Sequence, residues 1–117
     1  LKIKKILDKK TQIYFENFSL KNVDVLDQLF APSIVLKDWT VFIKGKNKVL
    51  KFNKSLFKKF KKLNVKILEK FYDLKKRIVV CHIIVQLNKK KINVVDVIYF
   101  DKKYKIKKIG AFLGWNL

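Results

Sequence analysis

Three polar side chains sit in stretches of sequence that are otherwise built to be buried: Tyr14 in QIYFENF, Asp38 in VLKDW and Asp96 in INVVDVIYF. A carboxyl group can hold or exchange a proton, and a phenol can donate a strong hydrogen bond. Asp96 poses the sharpest problem, because an ionised carboxylate is expensive to bury unpaired. It must face water, find a partner, or hold its proton. Strand alternation puts Val94, Ile98 and Phe100 on its side, and Val95, Val97 and Tyr99 on the other. Asp38 alternates with Ile34 and Leu36, so it too belongs to an apolar side. Tyr14 shares a helical stripe with Ile3, Leu7 and Phe18. Three strong hydrogen-bonding groups thus point to one apolar interior from three elements. Each alone has an ordinary explanation: a buried Tyr bonds a carbonyl, an Asp at a strand end caps a turn, and a strand Asp pairs with a Lys.

The elements that must position them can be read from periodicity and breakers. Residues 2 to 18 predict a helix. Asn22 caps a second, VDVLDQLFA, with Pro32 as its stop signal. SIVLKDWTVFI reads as one or two strands. Gly45 opens a third helix to about Lys62, with Val49, Phe52, Leu56 and Phe60 inward and most of its lysines outward. Four β runs follow, at 64–72, 77–87, 91–100 and 104–113, separated by turn signals such as NKKK and DKK. Helices segregated from hairpin-connected strands predict α+β, with the helices on one face of a curved antiparallel sheet. Both faces of the later strands are apolar. The second face therefore needs a cover, and self-association is the simplest one.

The 117 residues suit a single domain spanning 1–117, with enough chain for a core without staples. Half of them are hydrophobic, which excludes a disordered chain. The longest apolar runs are strand-length, well short of a membrane span, and the charged start LKIKKILDKK has no signal-like apolar core. A cytoplasmic protein is expected. Cys81 is alone, so no internal disulfide or cysteine-based zinc site can form. The net charge of +20 suggests nucleic acid. However, of 29 basic residues only Arg77 is arginine, the Lys residues are spread along the chain, and residues with GC-rich codons are scarce. AT-rich coding and solvated faces explain the charge better than a nucleic-acid site, which favours the bidentate Arg fork. Only non-specific attraction to polyanions is expected.

The succession YFENFSLKNVDVLDQLF, VLKDW, GKNKVLKF and VVDVIYFDKKYKIKKIGAFLG resembles the nuclear transport factor two superfamily, closest in its SnoaL-like and ketosteroid isomerase-like branches. The resemblance spans roughly residues 10 to 114. It implies a cone: three helices packed into a strongly curved antiparallel sheet, a pocket in the open end, and frequent dimers through the outer sheet face. It also implies roles in proton transfer α to a carbonyl. Asp38 would be the base, and Tyr14 and a protonated Asp96 would donate hydrogen bonds to the enolate oxygen. An Asp kept neutral by an apolar site is the known device of ketosteroid isomerase itself. The branch's supporting tyrosine in the third helix corresponds here to Asn53. Trp39 stands where a smaller residue is typical, which reshapes the pocket mouth and favours a ligand smaller than a steroid.

The expected ligand is a small apolar or carbonyl-containing compound, with Phe18, Trp39, Phe52, Asn53, Phe60, Val79, Ile83, Phe100, Ala111 and Leu113 around the three polar groups. A non-catalytic binding or dimerisation module on the same fold is the alternative, and a basic nucleic-acid-binding protein the third reading. His82, the one histidine, points outward with Val95 and Val97 if the turn near residues 88–90 has two or four residues, and inward if it has three. Trp115 is expected as a lid or edge-packing residue. No metal or cofactor is expected: the spacing of His and acidic residues suggests no ligand set, and three glycines cannot build a phosphate loop.

Overall fold

The computed structural model describes residues 2–117. The chain runs α1 (Lys2–Ser19), α2 (Val23–Leu29), β1 (Phe30–Lys37), β2 (Phe42–Lys44), α3 (Lys46–Lys59), β3 (Leu63–Asp73), β4 (Ile78–Leu87), β5 (Lys90–Phe100) and β6 (Ile106–Leu113). Three helices pack on one curved six-stranded sheet of order β2-β1-β6-β5-β4-β3, the α+β arrangement expected from the element order and the cone implied by the resemblance. All strand pairs are antiparallel except β1 with β6.

The stripe of α1 buries Leu7, Thr11, Tyr14 and Phe15, while Ile3 at its start stays exposed. Asp8 on the same helix accepts hydrogen bonds from Lys70 and Tyr72, tying α1 to β3. Just past the end of α1, Lys21 takes φ 59°, a left-handed conformation more usual for glycine. Asn22 then caps α2, its side chain accepting from the Val25 amide. Gly45, at φ 98°, turns the chain from β2 into α3, and its amide donates to Ile34 O at 2.7 Å. Open space surrounds a Cβ built there, so backbone conformation, not crowding, calls for glycine.

Three boundaries differ from the sequence reading. Helix α2 stops at Leu29, and Phe30, Ala31 and Pro32 belong to β1. Phe30 is buried and pairs with Ile106, but the register with β6 shifts between Phe30 and Val35, so Pro32 sits where the ladder is already interrupted. Helix α3 ends at Lys59, three residues early. The Lys21 ammonium crosses to donate to the carbonyls of Phe57 (2.9 Å), Phe60 (2.6 Å) and Lys61 (3.1 Å), satisfying the helix end. Strand β6 begins at Ile106 because Asp101 Oδ1 accepts from the amides of Lys103 and Lys105 and holds a turn through Tyr104.

Lys21→Met keeps the aliphatic stem and removes all three donors. Urea unfolding should show a loss of about 1–2 kcal/mol. An unchanged midpoint would mean water replaces the ammonium without penalty.

Candidate functional site

Between the helices and the concave sheet face lies a cavity of about 460 Å³. Tyr14 on α1, Asp38 just after β1 and Asp96 in the middle of β5 all line it. Of the residues expected around them, Phe18, Trp39, Phe52, Asn53, Phe60, Ile83 and Ala111 also line it. Val79, Phe100 and Leu113 do not. Val79 and Phe100 share Asp96's face but are wholly buried in the closed end of the cone, packed as core. Leu113, at the far end of β6, is half exposed and borders a groove beside Trp39.

Asp96 lies across the ladder from Cys81 on β4 and Ala111 on β6. Both neighbours are small, which leaves the carboxyl open to the cavity. It makes no ion pair or side-chain hydrogen bond among the described residues; the ion pairs found there are Lys46–Asp27 and Lys70–Asp8. Burial, and secondarily the negative charge of Asp38, pushes its carboxyl up to about 7. The carboxyl is therefore substantially protonated at neutral pH, and a protonated carboxyl is a donor. The beta-strand neighbour Cys81 is pushed up to about 12, first by burial and then by Asp96, so it remains a thiol.

Tyr14 is packed among aromatic rings, with centroids at 5.0 Å to Phe15, 6.0 Å to Phe18 and 6.1 Å to Phe30. Burial, then the nearby Asp96, raises its phenol well above the ordinary range, so it too stays protonated. Asp38 has a different environment. Its Oδ1 accepts from the Thr40 amide (2.7 Å), the Thr40 hydroxyl (3.0 Å) and the Val41 amide (2.8 Å). This is the turn-capping role, and it fixes one oxygen while leaving Oδ2 free of protein hydrogen bonds among the described residues. One carboxyl in the cavity thus accepts three hydrogen bonds from a turn, and the other is buried in hydrocarbon.

Asn53 is buried in α3, and its Nδ2 has no hydrogen-bond partner among the described residues. The sequence reading turned α3 slightly differently: Val49, Leu50, Asn53 and Phe57 are its buried residues, while Phe52, Leu56 and Phe60 are half-buried. Those three form cavity wall, which is why they are less covered. Leu36, Leu56, Lys59, Leu63, Val65, Val85, Leu87, Ile92 and Val94 also line the cavity without having been foreseen as lining. Continuing the alternation from Ile83 to Val85 and Leu87 would have found part of this wall; nothing in the sequence marked Lys59.

The β4–β5 turn has two residues, Asn88 and Lys89, so His82 faces outward opposite Val95. Its Nε2 meets Asn93 Oδ1, and its ring lies 6.4 Å from that of Trp115. Trp115 is therefore near the outer sheet face and largely exposed, and it is not a lid on the cavity.

No family model matches the chain, and no curated protein does. Solved structures do. A SnoaL-like protein of unknown function from Burkholderia thailandensis superposes with TM-score 0.83 at 10% identity, over 94% of this chain and 95% of that one. A protein of cystatin-like fold from Methylobium petroleophilum gives 0.84 at 13%, over 96% and 78%. The epoxide hydrolase/cyclase-like enzyme SalBIII, of pyran ring formation in the polyether salinomycin, gives 0.84 at 15%, over 95% and 92%. The chain has the nuclear transport factor two-like fold, shared by SnoaL-like and ketosteroid isomerase-like structures.

The raised Asp96 makes stability depend on pH with a definite sign. Between about 4, where the unfolded carboxyl titrates, and about 7, where the folded one does, only the folded state holds the proton. Its contribution is complete below that window and is lost as pH rises through it, by about 1.4 kcal/mol per unit at most. Asp96→Asn, which cannot ionise, should flatten this slope and be markedly more stable than wild type at pH 8. Denaturant titrations across pH 4–8 measure it; parallel curves for the two proteins would contradict a buried neutral carboxyl.

Proposed function

We propose that this chain, with the fold of SnoaL-like and ketosteroid isomerase-like proteins, binds a small, largely apolar carbonyl compound in its cavity and transfers a proton α to the carbonyl. The observation that carries the reading is Asp96: buried, without a cationic partner among the described residues, and lining one cavity with Tyr14 and Asp38. In this reading Asp38 Oδ2 takes the α-proton. The C–H electron pair becomes the new C=C bond, and the carbonyl π pair moves onto oxygen. Tyr14 and protonated Asp96 donate to that oxygen, where the charge develops. Asp38 then returns the proton, either to the same carbon or, in a β,γ-unsaturated ketone, to the γ carbon.

The outer sheet face supports a second element of the reading, self-association. Phe71 on β3 and Phe112 on β6 are more than half exposed, and Val80, Val95 and Val97 lie between them on the same face. We place the partner copy there, in a symmetric dimer. Sedimentation at micromolar concentration should give a dimer, and Phe112→Lys a monomer that still folds. A monomeric wild type would end this part of the proposal.

The chemistry is tested with cyclohex-3-enone in deuterated buffer, followed by NMR. Wild type should exchange and isomerise it above background, and Asp38→Asn should lose about 10²–10⁴-fold. Tyr14→Phe should lose about 10²–10³-fold. Activity should fall as pH rises past about 7, where the Asp96 donor ionises. Ligand-induced shifts at Ile83, Val94 and Ala111 without exchange would leave a binding module and remove the enzyme.

A further inference from the structure

The cavity is chemically graded from one end to the other. Its three acidic or phenolic groups sit at one level, and the β4–β5 turn lies at another. Along β5, Asp96 is four residues from Ile92, a wall residue next to the turn, which is about 13 Å of strand. Along α3, Asn53 is six residues from Lys59, about 9 Å of helix. The walls between carry Leu56, Ile83, Val85 and Val94, which are hydrocarbon. At the far level stands Lys59, the cation that lines the cavity among the described residues.

Three features keep Lys59 available. It is exposed and takes no part in the ion pairs of the described residues, Lys46–Asp27 and Lys70–Asp8. Its ammonium lies 5.4 Å from the centroid of the Phe60 ring, and Phe60 is itself cavity wall, so the charge is held at the rim. The helix-capping work that a lysine at this corner would otherwise do is done by Lys21, which donates to Phe57, Phe60 and Lys61 carbonyls. Lys58, Lys61 and Lys62 surround the same corner, so the local field there favours an anion.

We infer that the ligand is an amphipathic oxo acid: a carbonyl at the Tyr14–Asp96 end, a hydrocarbon middle, and a carboxylate about 10 Å away paired with Lys59. This rests on the carbonyl-pocket reading above and adds the ligand's second polar end. An anionic tail also fits a cavity whose other end holds the Asp38 carboxylate and no lining cation among the described residues: opposite polarity at the two ends fixes the orientation in which the ligand sits.

The test compares 9-oxodecanoate with its methyl ester, matched in carbonyl and chain. Affinity is read by titration of isotope-labelled protein at moderate salt, following shifts at Ile83, Val94 and Ala111. The acid should bind about three- to tenfold more tightly than the ester. Lys59→Gln should abolish that preference. Lys58→Gln, on the same helix but outside the cavity lining, should keep the preference, and so controls for the general positive field. Equal binding of acid and ester overturns the oxo-acid assignment and leaves the carbonyl pocket standing. Equal loss of preference in both lysine variants assigns it to net charge and overturns the role of Lys59. Absence of cavity shifts with either probe removes the carbonyl pocket, and the oxo acid with it.

Discussion

A carboxyl group buried on the concave face of the sheet, with no cation paired to it among the described residues, is the constraint that organises this molecule. Lysine is the commonest charged residue of the chain, and none pairs with Asp96. Exclusion of lysine follows from the strand's periodicity. The concave positions of β4 and β5 nearest Asp96 are Val79, Cys81, Ile83, Val94 and Ile98, all apolar or a thiol. The surrounding dielectric then does what an ion pair would otherwise prevent. It holds the proton on Asp96, and through the same burial it holds the proton on Tyr14. Asp38 stands past the end of β1, where a turn supplies three hydrogen bonds to one oxygen.

Space in front of these groups is kept open by how the helices end. Helix α3 covers the cavity with Phe52 and Leu56, and Phe60 just past its end, rather than plugging it. Its last turn is held by Lys21, a residue in a left-handed conformation at the α1–α2 corner, so the far end of the cavity is fixed by a contact from a helix that is remote in sequence. At the other side, Gly45 redirects the chain from β2 into α3 while its amide is anchored on Ile34 of β1. The wall that carries Asn53 is thereby tied to the strand that leads to Asp38.

Much of this was legible in the sequence because the sheet's period is strict. Alternation alone placed Asp96 with Val94, Ile98 and Phe100, and turn length decided the outward direction of His82. What alternation cannot supply is depth. Val79, Ile83 and Phe100 all face inward, yet only Ile83 meets the cavity, because the cone is closed at one end by core packing and open at the other. The parallel pairing of β1 with β6 was equally hidden: it joins Phe30 to Ile106, far apart in the chain, across a register shift that accommodates Pro32. A local reading sees only a proline and stops the helix there. Lys59 was hidden for a different reason. Among so many lysines, sequence alone does not distinguish the one at a cavity rim from those in solvent.

The residues that shape the cavity are locally unfavourable and are gathered in one place. Asp96 holds a proton that water would remove at neutral pH. Asn53 leaves a buried donor unpaired, and the half-covered aromatic wall of α3 forgoes packing that a filled core would have. Elsewhere the same chain follows the local rules closely, with Asn22 capping α2, Lys21 closing α3 and Asp101 holding the last turn. Thr11 Oγ1 and Arg77 Nε are also buried without partners among the described residues, away from the cavity; what distinguishes the cavity is that Asp96, Asn53 and a half-covered aromatic wall occur together there. The fold alone could not make that distinction, because low-identity structural likeness carries architecture only. The distinction comes from unpaired polar groups that a ligand with complementary ends would satisfy.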